Sequence, residues 1–139
     1  MDIYEATQSI LTTAVPGANV SAYVLSYDEA KDQFILPEFP AVTYNYANIS
    51  PIVTHRAETN LYRINLDIEV WGDLGQVDEN ARKVSEMLNA KRTAVGNVEF
   101  TLVCMEAQDL TELGLDFKRR RMRFAGLAEI REDHGEDSL

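Results

Sequence analysis

Between Leu61 and Trp71 the chain alternates with a period of two residues: Tyr62, Ile64, Leu66, Ile68 and Val70 are apolar, and Arg63, Asn65, Asp67 and Glu69 fill the gaps. That is the pattern of a strand with one buried face. Gly72 and Asp73 break it, and from Leu74 to Lys91 the apolar positions Val77, Ala81, Val84 and Leu88 recur at helical spacing. The change of period predicts a long strand feeding an amphipathic helix.

Upstream, Asp2 to Ala14 sets Ile3, Ala6 or Thr7, Ile10, Leu11 and Ala14 along one side, with Asp2 and Glu5 where carboxylates favour a helix N-terminus. Pro16 and Gly17 stop that helix. Asn19 to Ser26 (NVSAYVLS) is rich in β-formers and predicts a strand. Tyr27 to Pro37 reads as a charged connection with an apolar patch, Phe34 to Leu36. Phe39 to Ala47 (FPAVTYNYA) predicts a strand entered through a proline, where the missing N–H is tolerated. Asn48 to Asn60 reads as a long polar loop, either mobile or functional.

Beyond the helix, Lys91 and Arg92 fall near its C-terminal dipole and Gly96 is the expected exit. Val98 to Met105 predicts a strand with Val98, Phe100, Leu102 and Cys104 on one face, and Gln108 to Leu115 a polar turn region. Phe117 to Ile130 predicts the last strand, with Met122, Phe124, Gly126, Ala128 and Ile130 opposed to Arg119, Arg121 and Arg123. The resulting expectation is an α+β fold: a mainly antiparallel β-sheet with an N-terminal helix and one amphipathic helix packed on one face. Residues 1–131 are read as a single domain, and 132–139 as an acidic tail too poor in apolar residues to order itself.

Charge narrows the functional classes. The 139 residues carry a formal net charge of −10 with a pI near 4.6, which disfavours a general nucleic-acid binder. One cysteine, Cys104, excludes an intramolecular disulfide and fits a reducing compartment, and two histidines, His55 and His134, argue against a dedicated metal cluster. No apolar run is long enough to span a bilayer, and the N-terminal residues lack a signal-peptide pattern. The expectation is a protein synthesised in the cytosol.

The run Lys118 to Arg123 (KRRRMR) is the candidate for phosphate contact, yet only Arg119, Arg121 and Arg123 share a strand face, and Asp67 and Glu69 on the central strand are available partners. Pairing with carboxylates, across strands or across a subunit interface, is the favoured reading. Cys104 alternates with Phe100 and Leu102 and reads as a buried, inert thiol. Asp109, Glu112 and Asp116 lack the spacing of a calcium loop. No GxGxxG, P-loop, GxSxG or HExxH pattern occurs, so the reading is non-enzymatic, without a cofactor, catalytic or metal site. Trp71 has the parity of the polar residues; it either folds over the sheet end into the core or anchors a subunit interface.

The helix at the N-terminus, FPAVTY at Phe39 to Tyr44, the long loop, the strand ending in IEVWG at Ile68 to Gly72, the helix around Ala81 to Leu88 and two closing strands resemble the tail completion proteins of tailed bacteriophages. These are the tail terminator and tail-to-head joining proteins. The resemblance spans Asp2 to Ile130. It implies a virion structural protein in the tail or neck, made in the host bacterial cytoplasm, that assembles as a ring, commonly a hexamer, at the head-proximal end of the tail. There it would terminate the tail tube and join the head connector. Its partners would be copies of itself, the tail tube protein and the head connector or neck protein, with DNA only as passing cargo. On this reading Arg119, Arg121, Arg123, Asp67, Glu69 and Trp71 are candidates for the subunit interface. Ser50, Thr54, His55, Arg56 and Glu58 are candidates for a loop that faces the lumen or a neighbour. The alternative from another class is a small cytosolic α+β ligand-binding or regulatory protein acting as a dimer.

Overall fold

A computed structural model describes residues 1–22, 26–30, 33–35, 37–52, 59–110 and 117–131. In chain order these form α1 (Ile3–Ala14), β1 (Asn19–Ala22), β2 (Ser26–Asp28), β3 (Gln33–Ile35), β4 (Ala41–Ile52), β5 (Thr59–Gly72), α2 (Leu74–Leu88), β6 (Lys91–Val95), β7 (Val98–Asp109) and β8 (Lys118–Arg131). The main sheet has the order β1-β4-β5-β8-β7-β6, parallel between β1 and β4 and antiparallel elsewhere, while β2 and β3 pair with each other in a second, two-stranded sheet. The α+β expectation is met, with both helices on one side of the sheet.

The expected central strand is central. β5 lies between β4 and β8, and Ile64, Leu66, Ile68 and Val70 are buried against the helices. From α2 the predicted set Val77, Ala81, Val84 and Leu88 faces them, and from α1 come Ile3, Ala6, Thr7, Ile10 and Leu11. Each helix begins on an aspartate that accepts a bond from a first-turn amide: Glu5 N donates to Asp2 Oδ1 at 2.7 Å, and Gln76 N donates to Asp73 Oδ1 at 2.8 Å. The second is reciprocal, since Gln76 Oε1 accepts from Asp73 N at 3.0 Å, which fixes where β5 turns into α2.

Several boundaries differ from the sequence reading, and each difference has a local cause. β4 runs on to Ile52, so Asn48–Ile52 is strand, and so are Thr59 and Asn60; the rest of the expected loop, 53–58, lies outside the described residues. A register shift between Tyr46 and Asn48 inserts Ala47 as a bulge, which breaks the alternation that would have exposed the strand. The expected strand Asn19 to Ser26 is β1 as far as Ala22, 23–25 lie outside the described residues, and Ser26 opens the β2–β3 pair, which runs into the expected connection Tyr27 to Pro37. Lys91–Val95 is a strand and not a helix exit: α2 ends at Leu88, and Gly96, with φ +56°, forms the two-residue turn from β6 into β7. β7 reaches Asp109, past a second register shift between Cys104 and Glu106 that leaves Met105 as its bulge. The expected tail, 132–139, lies outside the described residues.

The buried hydroxyls that join α1 to the sheet are hydrogen-bonded. Thr7 Oγ1 donates to Ile3 O at 2.7 Å and shares a short hydrogen bond with Tyr46 Oη, which fastens α1 to β4. Tyr44 Oη donates to Gln8 Oε1 at 2.9 Å, and Gln8 Nε2 donates to Val20 O at 2.8 Å, so one glutamine links α1 to β4 and β1. Burial pushes the Tyr46 phenol far above its usual range, with the Thr7 hydrogen bond pulling partly against it. An unfolded tyrosine ionises near pH 10, roughly, so the folded chain holds a proton that the unfolded chain loses above that pH. Stability is therefore expected to fall as pH rises past about 10. Tyr46→Phe should flatten that fall in urea titrations at neutral and alkaline pH; an unchanged slope would place the alkaline loss elsewhere.

Candidate assembly surfaces

The sheet face away from the helices carries the predicted charged residues, because β5 and β8 pair in a register that sets Asp67 opposite Arg123, Glu69 opposite Arg121 and Trp71 opposite Arg119. β7 supplies the third row: Glu106 stands opposite Arg123 and Gln108 opposite Arg121. Arg123 Nε lies 3.5 Å from Asp67 Oδ1 and its Nη1 3.7 Å from Glu106 Oε2, while Arg121 Nη2 donates to Gln108 Oε1 at 3.2 Å. The arginines are thus engaged by their own chain across three strands. Pairs this exposed contribute about 0.2–1 kcal/mol each, so they do more for register than for stability.

Strand alternation places Arg63, Arg92, Arg119, Arg121, Arg123 and Arg131 on this face with Asp67, Glu69, Glu99, Glu106 and Glu129 interleaved among them. The opposed signs nearly cancel locally. A duplex would meet a mixed surface in place of a basic track.

Trp71 is 1 % exposed and closes one end of the face. Its Nε1 donates to Thr43 Oγ1 at 2.9 Å, Phe39 stacks on it with centroids 6.1 Å apart, Phe117 lies 5.8 Å away, and the Arg119 guanidinium sits 4.9 Å from its ring centre. Of the two sequence readings for Trp71, the geometry matches the fold-over at the sheet end. Phe39, 38 % exposed, is the aromatic group that a neighbour would meet there.

The two bulges fall on either side of the sheet's middle, and between them a groove of about 420 Å³ opens, lined by Ala47, Asn48, Asn65, Asp67, Met105, Arg123, Phe124 and Ala125. Met105 projects into solvent at 69 % exposure, beside exposed Val103. Amide groups, a paired charge and a thioether line one concavity, a mixture suited to a protein surface more than to a single ion. Among the described residues no cluster of three or more His, Cys, Asp or Glu could hold a metal. Cys104 is half-buried, its Sγ 3.6 Å from Glu106 O.

Of the loop candidates, Ser50 lies in β4 opposite Arg63, and its hydroxyl donates to Asn48 Oδ1 at 2.9 Å. Thr54, His55, Arg56 and Glu58 lie outside the described residues. The sequence reading passed over Arg120, which has the parity of the core positions yet is held by two carboxylates. Its Nε donates to Asp109 Oδ1 and its Nη2 to Asp78 Oδ1, both at 2.6 Å, tying β7 and the first turns of α2 to β8. The Asp109 bond, followed by that to Asp78, raises its pKa against the opposing effect of burial. The detectable signal was the parity itself: a cation on the apolar side of a strand needs a carboxylate nearby.

No protein-family model matches the chain, and no curated protein matches it. No helix among the described residues is long and apolar enough to cross a membrane. Among solved structures, a chain of the virion of a native gene transfer agent particle is similar, with a TM-score of 0.61 and 14 % identity, over 91 % of this chain and 94 % of that one. At that identity the likeness is one of fold, and it extends over nearly the full length of both chains.

Proposed function

We propose that this protein is a structural component of a phage-like virion, and that it assembles as a six-fold ring at the head-proximal end of the tail, ending the tail tube and joining it to the head connector. The observation that carries this reading is the fold shared, almost end to end, with a chain of a gene transfer agent virion. The surface chemistry agrees with it. A net charge of −10 and a sheet face of interleaved signs suit a wall past which DNA moves without sticking. The arginine ladder would then serve the ring through its rim, setting orientation between subunits more than affinity.

Sedimentation velocity over a concentration series, with negative-stain imaging of the purified full chain, tests the reading. The expected result is a closed ring with a central channel that appears as concentration rises, together with duplex binding too weak to survive moderate salt. A dimer of fixed size that takes up a small ligand would overturn it. Tight, salt-resistant duplex binding would move the function to the nucleic-acid class.

A further inference from the structure

The main sheet keeps one open edge. β6 is its last strand, and among the described residues no strand pairs with its outer side. The two-residue turn closes on the pair Val95 and Val98, so antiparallel alternation directs the N–H and C=O groups of Arg92 and Ala94 away from β7. Both residues are exposed, the Arg92 side chain at 81 %. The opposite edge differs, because the Val20 carbonyl of β1 accepts from Gln8 of α1 at 2.8 Å. An edge with unused donors and acceptors is a template for another strand.

The residues of β6 decide which strand fits. Lys91–Val95 reads KRTAV, with Thr93 in the middle. When a second copy of β6 lies antiparallel with Thr93 opposite Thr93, the strands overlap along their whole length, and Arg92 of each copy stands opposite Ala94 of the other. That register uses every outward N–H and C=O of Arg92 and Ala94, since these residues then form the hydrogen-bonded pairs. It sets no charge against a like charge. On the face away from the helices, Ala94 would lie between Arg92 of the other copy and its own β7 neighbour Glu99. Two strand spacings, about 10 Å, are within the combined reach of an arginine and a glutamate, and the alanine methyl is too short to intervene. Within one chain Arg92 Nε lies 3.8 Å from Glu99 Oε1, a loose contact that a second carboxylate would complete. Other registers with the same parity are worse: one sets Arg92 against Arg92, and another sets Arg92 against the Gly96 turn.

We infer that two copies of the chain join β6 to β6 about a two-fold axis at Thr93, so that their two six-stranded sheets become one. Backbone bonds hold the contact, and the alternation of cation and methyl selects its register. The same patch serves both copies, so the contact closes on itself and does not propagate. It is therefore a different interface from those that would close a ring, and it belongs to the free protein, whose open edge a second copy covers before a tail is met.

Sedimentation velocity on the full chain over a concentration series, with circular dichroism to follow folding, measures the contact. The wild type is expected to form a dimer below the concentration at which any ring appears. Ala94→Pro removes an outward N–H and leaves the β6–β7 ladder intact, so it should raise the dimer dissociation constant about tenfold or more while the circular dichroism stays the same. Arg92→Glu should weaken the dimer, and Glu99→Arg added to it should restore it in part. The register has its own readout. In a Cys104→Ser background, Thr93→Cys sets two thiols across a non-hydrogen-bonded pair with Cα atoms about 4.5 Å apart, and mild oxidation should cross-link the dimer. Lys91→Cys, whose two copies lie four residues apart in that register, should not cross-link. A dimer that survives Ala94→Pro and does not cross-link through Thr93→Cys overturns the edge contact and leaves the ring reading as it was. A wild type that passes from monomer to ring without a dimer overturns it too, and one that stays monomeric at every concentration overturns both.

Discussion

Leu66→Asp is expected to remove most of the chain's stability. Leu66 is 1 % exposed and points from the middle of β5 into the space where both helices meet the sheet, beside Ile10 and Leu11 of α1, Leu88 of α2, and Phe100 and Leu102 of β7. Replacing it by alanine would cost about 2–5 kcal/mol through lost transfer energy and the cavity left behind. The aspartate adds the desolvation of a charge among apolar side chains and the hydroxyls of Thr7 and Tyr46, which are already bonded to each other. It would either take up a proton or force the core open, and a total loss of about 5 kcal/mol is comparable with the whole stability of many domains. The expected observation is an unfolded or barely cooperative chain by circular dichroism. A mutant that melted with the parent would mean that Leu66 does not face the helices, and the register of the central strand would have to be redrawn by one residue.

What was legible in the sequence follows from burial. β5, β7 and β8 each have one face against the helices and one against water, so their alternation is written in residue type, and the parity of Arg121 and Arg123 opposite Glu69 and Asp67 could be read before the register was known. α2 was legible because Val77, Ala81, Val84 and Leu88 are its buried residues. The elements missed are those without that contrast. β6 lies at an edge with no buried residue, so KRTAV carries no apolar period to mark it. The far half of β4 has intermediate or exposed residues and a bulge that shifts its phase, which made Asn48–Ile52 look like loop. The β2–β3 strands are three residues long, below the length at which periodicity means anything. Arg120 was missed because its partners, Asp78 and Asp109, are distant in sequence and meet it only once β7 and α2 are placed.

Gly126 is the position where sequence carried least warning and where the smallest change should have the largest effect for its size. The glycine sits in β8 with Ile64 of β5 on one side and Leu102 of β7 on the other. A Cβ built there would stand 2.0 Å from Thr101 O, 3.0 Å from Leu102 Cα and 3.1 Å from Thr101 C. All three are backbone atoms, so no rotamer change can relieve the overlap; β7 would have to move away from β8, at the cost of ladder hydrogen bonds in the middle of the sheet. Ordinary overpacking by a methyl costs about 1–3 kcal/mol, and the involvement of backbone places Gly126→Ala at about 3 kcal/mol or more. For a chain of this size that corresponds to a fall in Tm of roughly 10 °C or more. Gly75 supplies the opposite case in the same molecule: it lies in the first turn of α2, and an added Cβ would meet nothing nearer than Asp73 Oδ1 at 3.5 Å. Gly75→Ala should therefore leave stability unchanged or raise it by up to about 1 kcal/mol through helix propensity. Thermal and urea melts of the two variants side by side separate the effects. If both shifted Tm alike, the loss at Gly126 would be a general consequence of replacing glycine, and the close approach of β7 to β8 would not be its cause.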